Sequence, residues 1–128
     1  MPKKILAPAD APKAIGPYSQ GVDLGDFVFF AGQIPIDPAT GDLVSPGDAR
    51  GQTERILKNV DALLRAAGLG PDHVVKSTVF LVDLADFAAM NEVYGKYFTK
   101  EHPARSTVQV AALPKGARVE IEVLARRM

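Results

Sequence analysis

The chain has 128 residues, 47% of them hydrophobic, with 15 Lys plus Arg against 15 Asp plus Glu. That length suits one domain, residues 1–128, which buries about two thirds of its unfolded surface, and the neutral balance lacks the electrostatic footprint of a nucleic-acid binder. Cysteine is absent, excluding disulfides and thiolate chemistry, and His73 and His102 cannot by themselves complete a zinc site, so no metal is expected.

Near the start, Pro8, Asp10 and Pro12 interrupt the short apolar run that follows Lys3 and Lys4, which does not read as a signal peptide. No stretch approaches transmembrane length, so no membrane partner is expected and the cytoplasm is the default compartment. Residues 18–23 and 27–33 read as strands around Leu24-Gly25-Asp26, which has hairpin-turn character, and residues 37–42 form a second turn. Ser45-Pro46-Gly47-Asp48 offers an N-cap, a proline at the first helical position and an acid in the first turn. The helix that follows lines up Ile56, Leu57, Val60, Leu63, Leu64 and Ala67, with Gly68 as its stop. Residues 73–82 are rich in β-branched side chains and read as a strand. A second helix begins near Asp83, buries Phe87, Met90, Tyr94 and Phe98, and ends before Pro103. The order β-β-β-α-β-α-β-β predicts an α+β layer with helices on one face of a mixed sheet and the other face partly uncovered.

The most informative stretch is residues 103–108, Pro-Ala-Arg-Ser-Thr-Val, followed by Leu113-Pro114-Lys115-Gly116 and by Val119-Glu120-Ile121-Glu122-Val123. Alternation sends Arg105, Thr107 and Gln109 to one side of a strand and Ser106, Val108 and Val110 to the other. In the last strand Val119, Ile121 and Val123 face a core, while Glu120 and Glu122 share the opposite face with Arg118. A simple hairpin around Pro114 and Lys115 would set Glu120 opposite roughly Gln109, about 13 Å along the strand from Arg105 at about 3.3 Å per residue. That is too far for contact. Either both side chains converge on a ligand, or Glu120 serves the cleft through another register or another subunit; Glu122 is the nearer candidate salt-bridge partner.

These residues resemble the signature of the RidA family, the reactive intermediate deaminases also called YjgF proteins: Pro-Ala-Arg-Ser, then Val, then Leu-Pro, then a hydrophobic residue and Glu. Residues 14–21, Ala-Ile-Gly-Pro-Tyr-Ser-Gln-Gly, are similar to the family's Gly-Pro-Tyr-Ser-Gln segment, and residues 31–35, Ala-Gly-Gln-Ile-Pro, to its small-Gly-Gln-Ile-Pro strand. Asn59-Val60, Ala67-Gly68-Leu69 and Val75-Lys76 also agree, so the resemblance covers nearly the whole chain in order. It implies a chorismate-mutase-like α+β fold, a mixed six-stranded sheet with two helices on one face, assembled as a homotrimer with active sites in the clefts between subunits. It implies hydrolytic deamination of 2-imino acids or their enamines, 2-iminobutanoate and 2-iminopropanoate, released by pyridoxal-phosphate-dependent dehydratases. The products are 2-keto acids and ammonia, the role is metabolite damage control, and no cofactor is called for. The alternative is a non-catalytic trimer that senses 2-keto acids through the same cleft. An RNA-directed role has been attached to relatives, but neutral charge and few aromatic platforms disfavour it.

The resemblance also assigns roles. Arg105 would bind the substrate carboxylate, a task suited to a planar guanidinium; on residue type alone an intersubunit ion pair is the favoured reading, and the signature reverses that preference. Glu120 would position or activate water, its plainer reading being a solvated strand acid. Gly32 would let the ligand approach backbone, or serve as a bulge; Tyr18 would close the cleft, or pack in an interface. Asn91, in a family-like place on the second helix, is with Thr107 a further substrate-binding candidate, its commoner role being to stabilise backbone near the cleft. Thr107 stands where many relatives have cysteine, and Ala31 where many have serine or threonine before the glycine. A thiol mechanism is therefore impossible, and Thr107 can contribute only backbone or hydroxyl. His102 and Ser106 lack a nucleophile-elbow context and read as structural.

Overall fold

In the computed structural model, which describes residues 2–128, the elements run β1 (Lys4–Leu6), β2 (Gly21–Asp23), β3 (Phe27–Phe30), α1 (Ala49–Ala66), β4 (Val74–Leu81), α2 (Phe87–Tyr97), β5 (Ala104–Gln109) and β6 (Val119–Arg126). The strands form one mixed sheet in the order β1-β2-β3-β6-β4-β5. All neighbours are antiparallel except β4 and β5, which are parallel and joined through α2, as a parallel pair requires a crossover. Both helices cover one face, so the α+β expectation holds.

The expected β5–β6 hairpin does not form. β4 lies between the two strands, paired with β5 on one side and β6 on the other. The crossover leaves β5 at the edge of the sheet. Val119, Ile121 and Ala125 of β6 are fully buried, and they gain that burial from the slot between β3 and β4. The linking loop turns at Lys115 and Gly116, both with positive φ, 58° and 72°. Arg118 leaves the strand face as well: its guanidinium pairs with Asp86 at 2.8 Å, while its backbone N–H donates to Gln52 Oε1.

Helix α1 starts later than expected. Ser45 to Asp48 is a turn, with positive φ at Ser45 and Gly47, and the N-cap is Asp48, whose side chain accepts from the Arg50 N–H. Gly68, at φ 74°, stops the helix as predicted. The predicted strands shorten in the same way: residues 18–20 and 31–33 stay outside β2 and β3, His73 belongs to a short 3-10 turn, and α2 is preceded by another over Leu84–Asp86. Below the sheet, Ile56, Leu63 and Leu64 of α1, Met90 and Tyr94 of α2, and Val79 and Leu81 of β4 form the core.

Candidate functional site

Arg105 sits on the helix-covered side of edge strand β5, level with Ser77 of β4. Its NH1 donates to Asn91 Oδ1 at 2.7 Å, and its guanidinium carbon lies 4.7 Å from the ring centre of Tyr94 and 5.5 Å from that of Phe87. These are cation–π distances, and the two rings and one amide restrict where the fork points. No acid pairs with Arg105 among the described residues. Glu122, its suggested partner, lies on the opposite sheet face. Tyr94 is itself fixed by a 2.6 Å bond between its hydroxyl and Ser77 Oγ, with both residues buried. Burial pushes the Tyr94 hydroxyl above its ordinary titration range, with Ser77 and the Arg105 charge opposing. Thr107, two residues on and on the same side, has a buried Oγ1 with no partner. With Gly95, His102 and Pro103, the side chains of Asn91, Tyr94 and Arg105 line a cleft of about 430 Å³.

Glu120 belongs to a second group. It projects from β6 into the row of Phe80 and Val108, the uncovered side of the sheet. β3 has ended there, and only the bridge from Gln33 to Ile121 continues the pairing, so Gly32 passes beside the Glu120 side chain. A Cβ at Gly32 would collide with Oε2 of Glu120 and lie 2.9 Å from its Cδ; the glycine makes room for the carboxylate. Burial first, and the neighbouring Glu122 charge second, raise the Glu120 carboxyl above its ordinary value of 4.5. Tyr18 and Gly32 line a second cleft of about 260 Å³. Tyr18 is exposed, its hydroxyl accepting from the Ile15 N–H. Beneath them Gln33 Nε2 donates to Gln20 Oε1 at 2.7 Å and to the Ala31 carbonyl, a buried amide pair that welds residues 18–20 to residues 31–33.

Sequence reading placed six candidate residues, and the fold sorts them into Arg105, Asn91 and Thr107 on one side and Glu120, Gly32 and Tyr18 on the other. Asn91 bonds the arginine side chain rather than backbone. The Tyr94–Ser77 anchor, the Phe87 stack and the Gln20–Gln33 pair were not assigned roles from sequence. Both glutamines do stand in the two quoted motifs, and a buried face on α2 was the only signal for Tyr94. The uncovered side also carries Ile5, Phe27, Phe29 and Val108, of which Phe29 is 47% and Ile5 48% exposed; such a stripe across a sheet is unusual on a surface meant for water. No group of three or more His, Asp or Glu side chains suited to a metal ion occurs among the described residues, and no described helix is long and apolar enough to cross a membrane.

The chain belongs to the RidA (YjgF) family, matching over residues 8–127 the family model described as endoribonuclease L-PSP. It is 51% identical, over 98% of both chains, to an Escherichia coli protein named provisionally as the reactive intermediate deaminase TdcF. The structure of E. coli TdcF with bound serine superposes with a TM-score of 0.92 at 50% identity, over 98% of this chain and 99% of that one. A Vibrio vulnificus protein named provisionally a translation initiation inhibitor is similar too: TM-score 0.91, 50% identity, over 97% and 99% of the two chains. The family function as a reactive intermediate deaminase thus applies at the level of class.

Proposed function

We propose that the protein hydrolyses 2-imino acids, 2-iminobutanoate and 2-iminopropanoate among them, in clefts formed between copies of the chain in a homotrimer. The observation that carries this reading is the separation of the two groups. Arg105, a cation free of any acid, and Glu120, a carboxylate held with a raised pKa, stand on opposite faces of one sheet. One chain cannot close them on a single small molecule. A neighbouring copy whose edge strand β5 packs against the apolar uncovered face can bring its Arg105 group to this chain's Glu120 group.

In such a cleft Arg105 takes the substrate carboxylate through the donors that Asn91 leaves free, and the Thr107 hydroxyl, unpartnered and on the same side, adds one more. The Gly32 backbone lies against the ligand, and Tyr18 closes over it. Glu120 accepts a proton from water as the oxygen bonds to the imine carbon; the C=N π electrons pass to nitrogen. Glu120 then returns a proton to that nitrogen; as the C–N bond breaks, Glu120 takes the remaining hydroxyl proton, the carbonyl forms, and the departing ammonia carries that proton away as ammonium. The balance is R–C(=NH2+)–COO⁻ + H2O → R–CO–COO⁻ + NH4+. The imine is already electrophilic, so orientation and a positioned base meet the chemical demand. Serine bound to TdcF supports a small carboxylate ligand for this fold.

The test is complementation. Arg105→Ala and Glu120→Gln, each reduced to about a hundredth of wild-type activity or less alone, are refolded together in equal amounts and assayed with threonine dehydratase by semicarbazide trapping. With sites shared between neighbours, a random mixture restores about a quarter of wild-type activity, the chance that an intact arginine meets an intact glutamate. No recovery from a properly mixed oligomer rejects the shared site; no hydrolysis by the wild type, with keto-acid binding retained, favours the sensor reading.

A further inference from the structure

The cleft that begins at Gly32 and Tyr18 is walled by Ile15, Ile34, Ile36 and Pro38, and two lysines, Lys13 and Lys115, stand in its lining while no Asp or Glu does. Neither lysine forms a salt bridge among the described residues. In the nearest turn Asp37 Oδ1 accepts from the Ala39 N–H, and neither Asp37 nor the turn's second acid, Asp42, pairs with a lysine among the described residues. Lys115 is held at φ 58°, a conformation in which glycine or asparagine would be less strained, and Nζ spends one donor on the Gly41 carbonyl at 3.2 Å. Its remaining donors and those of Lys13 are uncommitted. The pocket therefore pairs a short apolar passage with two unneutralised ammonium groups.

We propose that this pocket receives the substrate side chain, and that Lys13 and Lys115 select side chains ending in a second carboxylate, so that imines of aspartate and glutamate are preferred over those of alanine. This rests on the imine-hydrolysis reading. The α-carboxylate goes to Arg105, the reacting carbon stays beside Glu120 and Gly32, and the side chain runs past Tyr18 toward the lysines. Small imines still enter, leaving the pocket to water. A dicarboxylic imine replaces that water with charge-assisted bonds and relieves the repulsion between two like charges.

Imines are generated from aspartate, glutamate, alanine and leucine by amino-acid oxidases and trapped with semicarbazide, and kcat/KM is read from the loss of trapped product. The expected ratio of aspartate imine to alanine imine is about tenfold or more, the equivalent of one charge-assisted bond. It falls toward one in Lys13→Met/Lys115→Met and persists in Lys115→Arg. A wild-type ratio near one, a preference for the leucine imine, or a ratio that survives the double variant overturns the pocket assignment and leaves imine hydrolysis standing. If no imine is hydrolysed, the function reading fails, and calorimetry decides the pocket by itself: 2-oxoglutarate binding more tightly than pyruvate, with the difference lost in the double variant, upholds it, and equal affinities reject it.

Discussion

Glu120 occupies the space where Gly32 would carry a side chain, its Cδ only 2.9 Å from the position of an added Cβ. Gly32 does not have a positive φ, so alanine meets no backbone obstacle there and only the carboxylate must move. Gly32→Ala is expected to lower kcat/KM about a hundredfold, since a displaced catalytic group costs about that much, while stability changes by less than about 1 kcal/mol. Kinetics beside thermal unfolding of the same sample checks both; a large loss of stability would show that the glycine serves the fold.

Tyr94 offers Arg105 a ring at 4.7 Å and is pinned by Ser77. Tyr94→Phe keeps the ring and should leave KM nearly unchanged, whereas Tyr94→Leu loses a contact of about 1 kcal/mol and should raise KM about fivefold. Equal effects of the two substitutions would make the hydroxyl, not the ring, the important part.

Glu120 can act as a base only when ionised, and burial with the Glu122 charge raises its pKa above 4.5. Activity should therefore fall with acid at a pH above the ordinary carboxylate value. Glu122→Gln removes the like charge and should move that limb to lower pH; Glu120→Gln should cost about a hundredfold in kcat and abolish the limb. A carboxyl whose folded pKa exceeds its unfolded one opposes folding once ionised. Glu120→Gln should accordingly raise the melting temperature at neutral pH, an advantage that vanishes below the unfolded titration.

Asp23 and Arg127 form a two-pronged pair, 2.8 Å on each side, and Arg127 also donates to the carbonyls of Gly25 and Ala67. The Arg127 bond first, then the Gly25 N–H, lowers the Asp23 pKa from 3.8 to about 2. A lowered carboxyl pKa contributes stability that is complete above 3.8 and lost as pH falls toward 2; the shift amounts to about 2 kcal/mol. Denaturant unfolding between neutral pH and pH 2 should show that loss in the wild type and not in Asp23→Asn. Arg127→Met should cost about 2–3 kcal/mol at neutral pH, because it strands a carboxylate that is only 10% exposed.

The two helices, the stop of α1 at Gly68 and the alternation of β6 were legible because periodicity and local turn chemistry specify them. Strand order was not. Nothing in residues 104–126 distinguishes a hairpin from two strands separated by a third; burial of Val119 and Ile121 on a central strand decides it, and that depends on β3 and β4, distant in sequence. The wrong pairing brought a wrong partner, Glu122, to Arg105. The motifs named the site residues, yet the sorting onto two faces came only with the parity of each strand against β4. Asp48 in place of Ser45 as the cap was the smaller miss, since both carry an acceptable oxygen and the positive φ at Ser45 and Gly47 separates them.

The placement of β6 has a consequence for synthesis. Until residues 119–126 are present, β1-β2-β3 and β4-β5 are two half-sheets with an open edge each, and no pairing joins them. A growing chain on the ribosome can form its helices and its N-terminal meander but cannot seal the seam, so the sheet closes late, through contacts between residues far apart in sequence. Those waiting edges are where an incomplete or slowly made chain would meet another copy of itself in the wrong way.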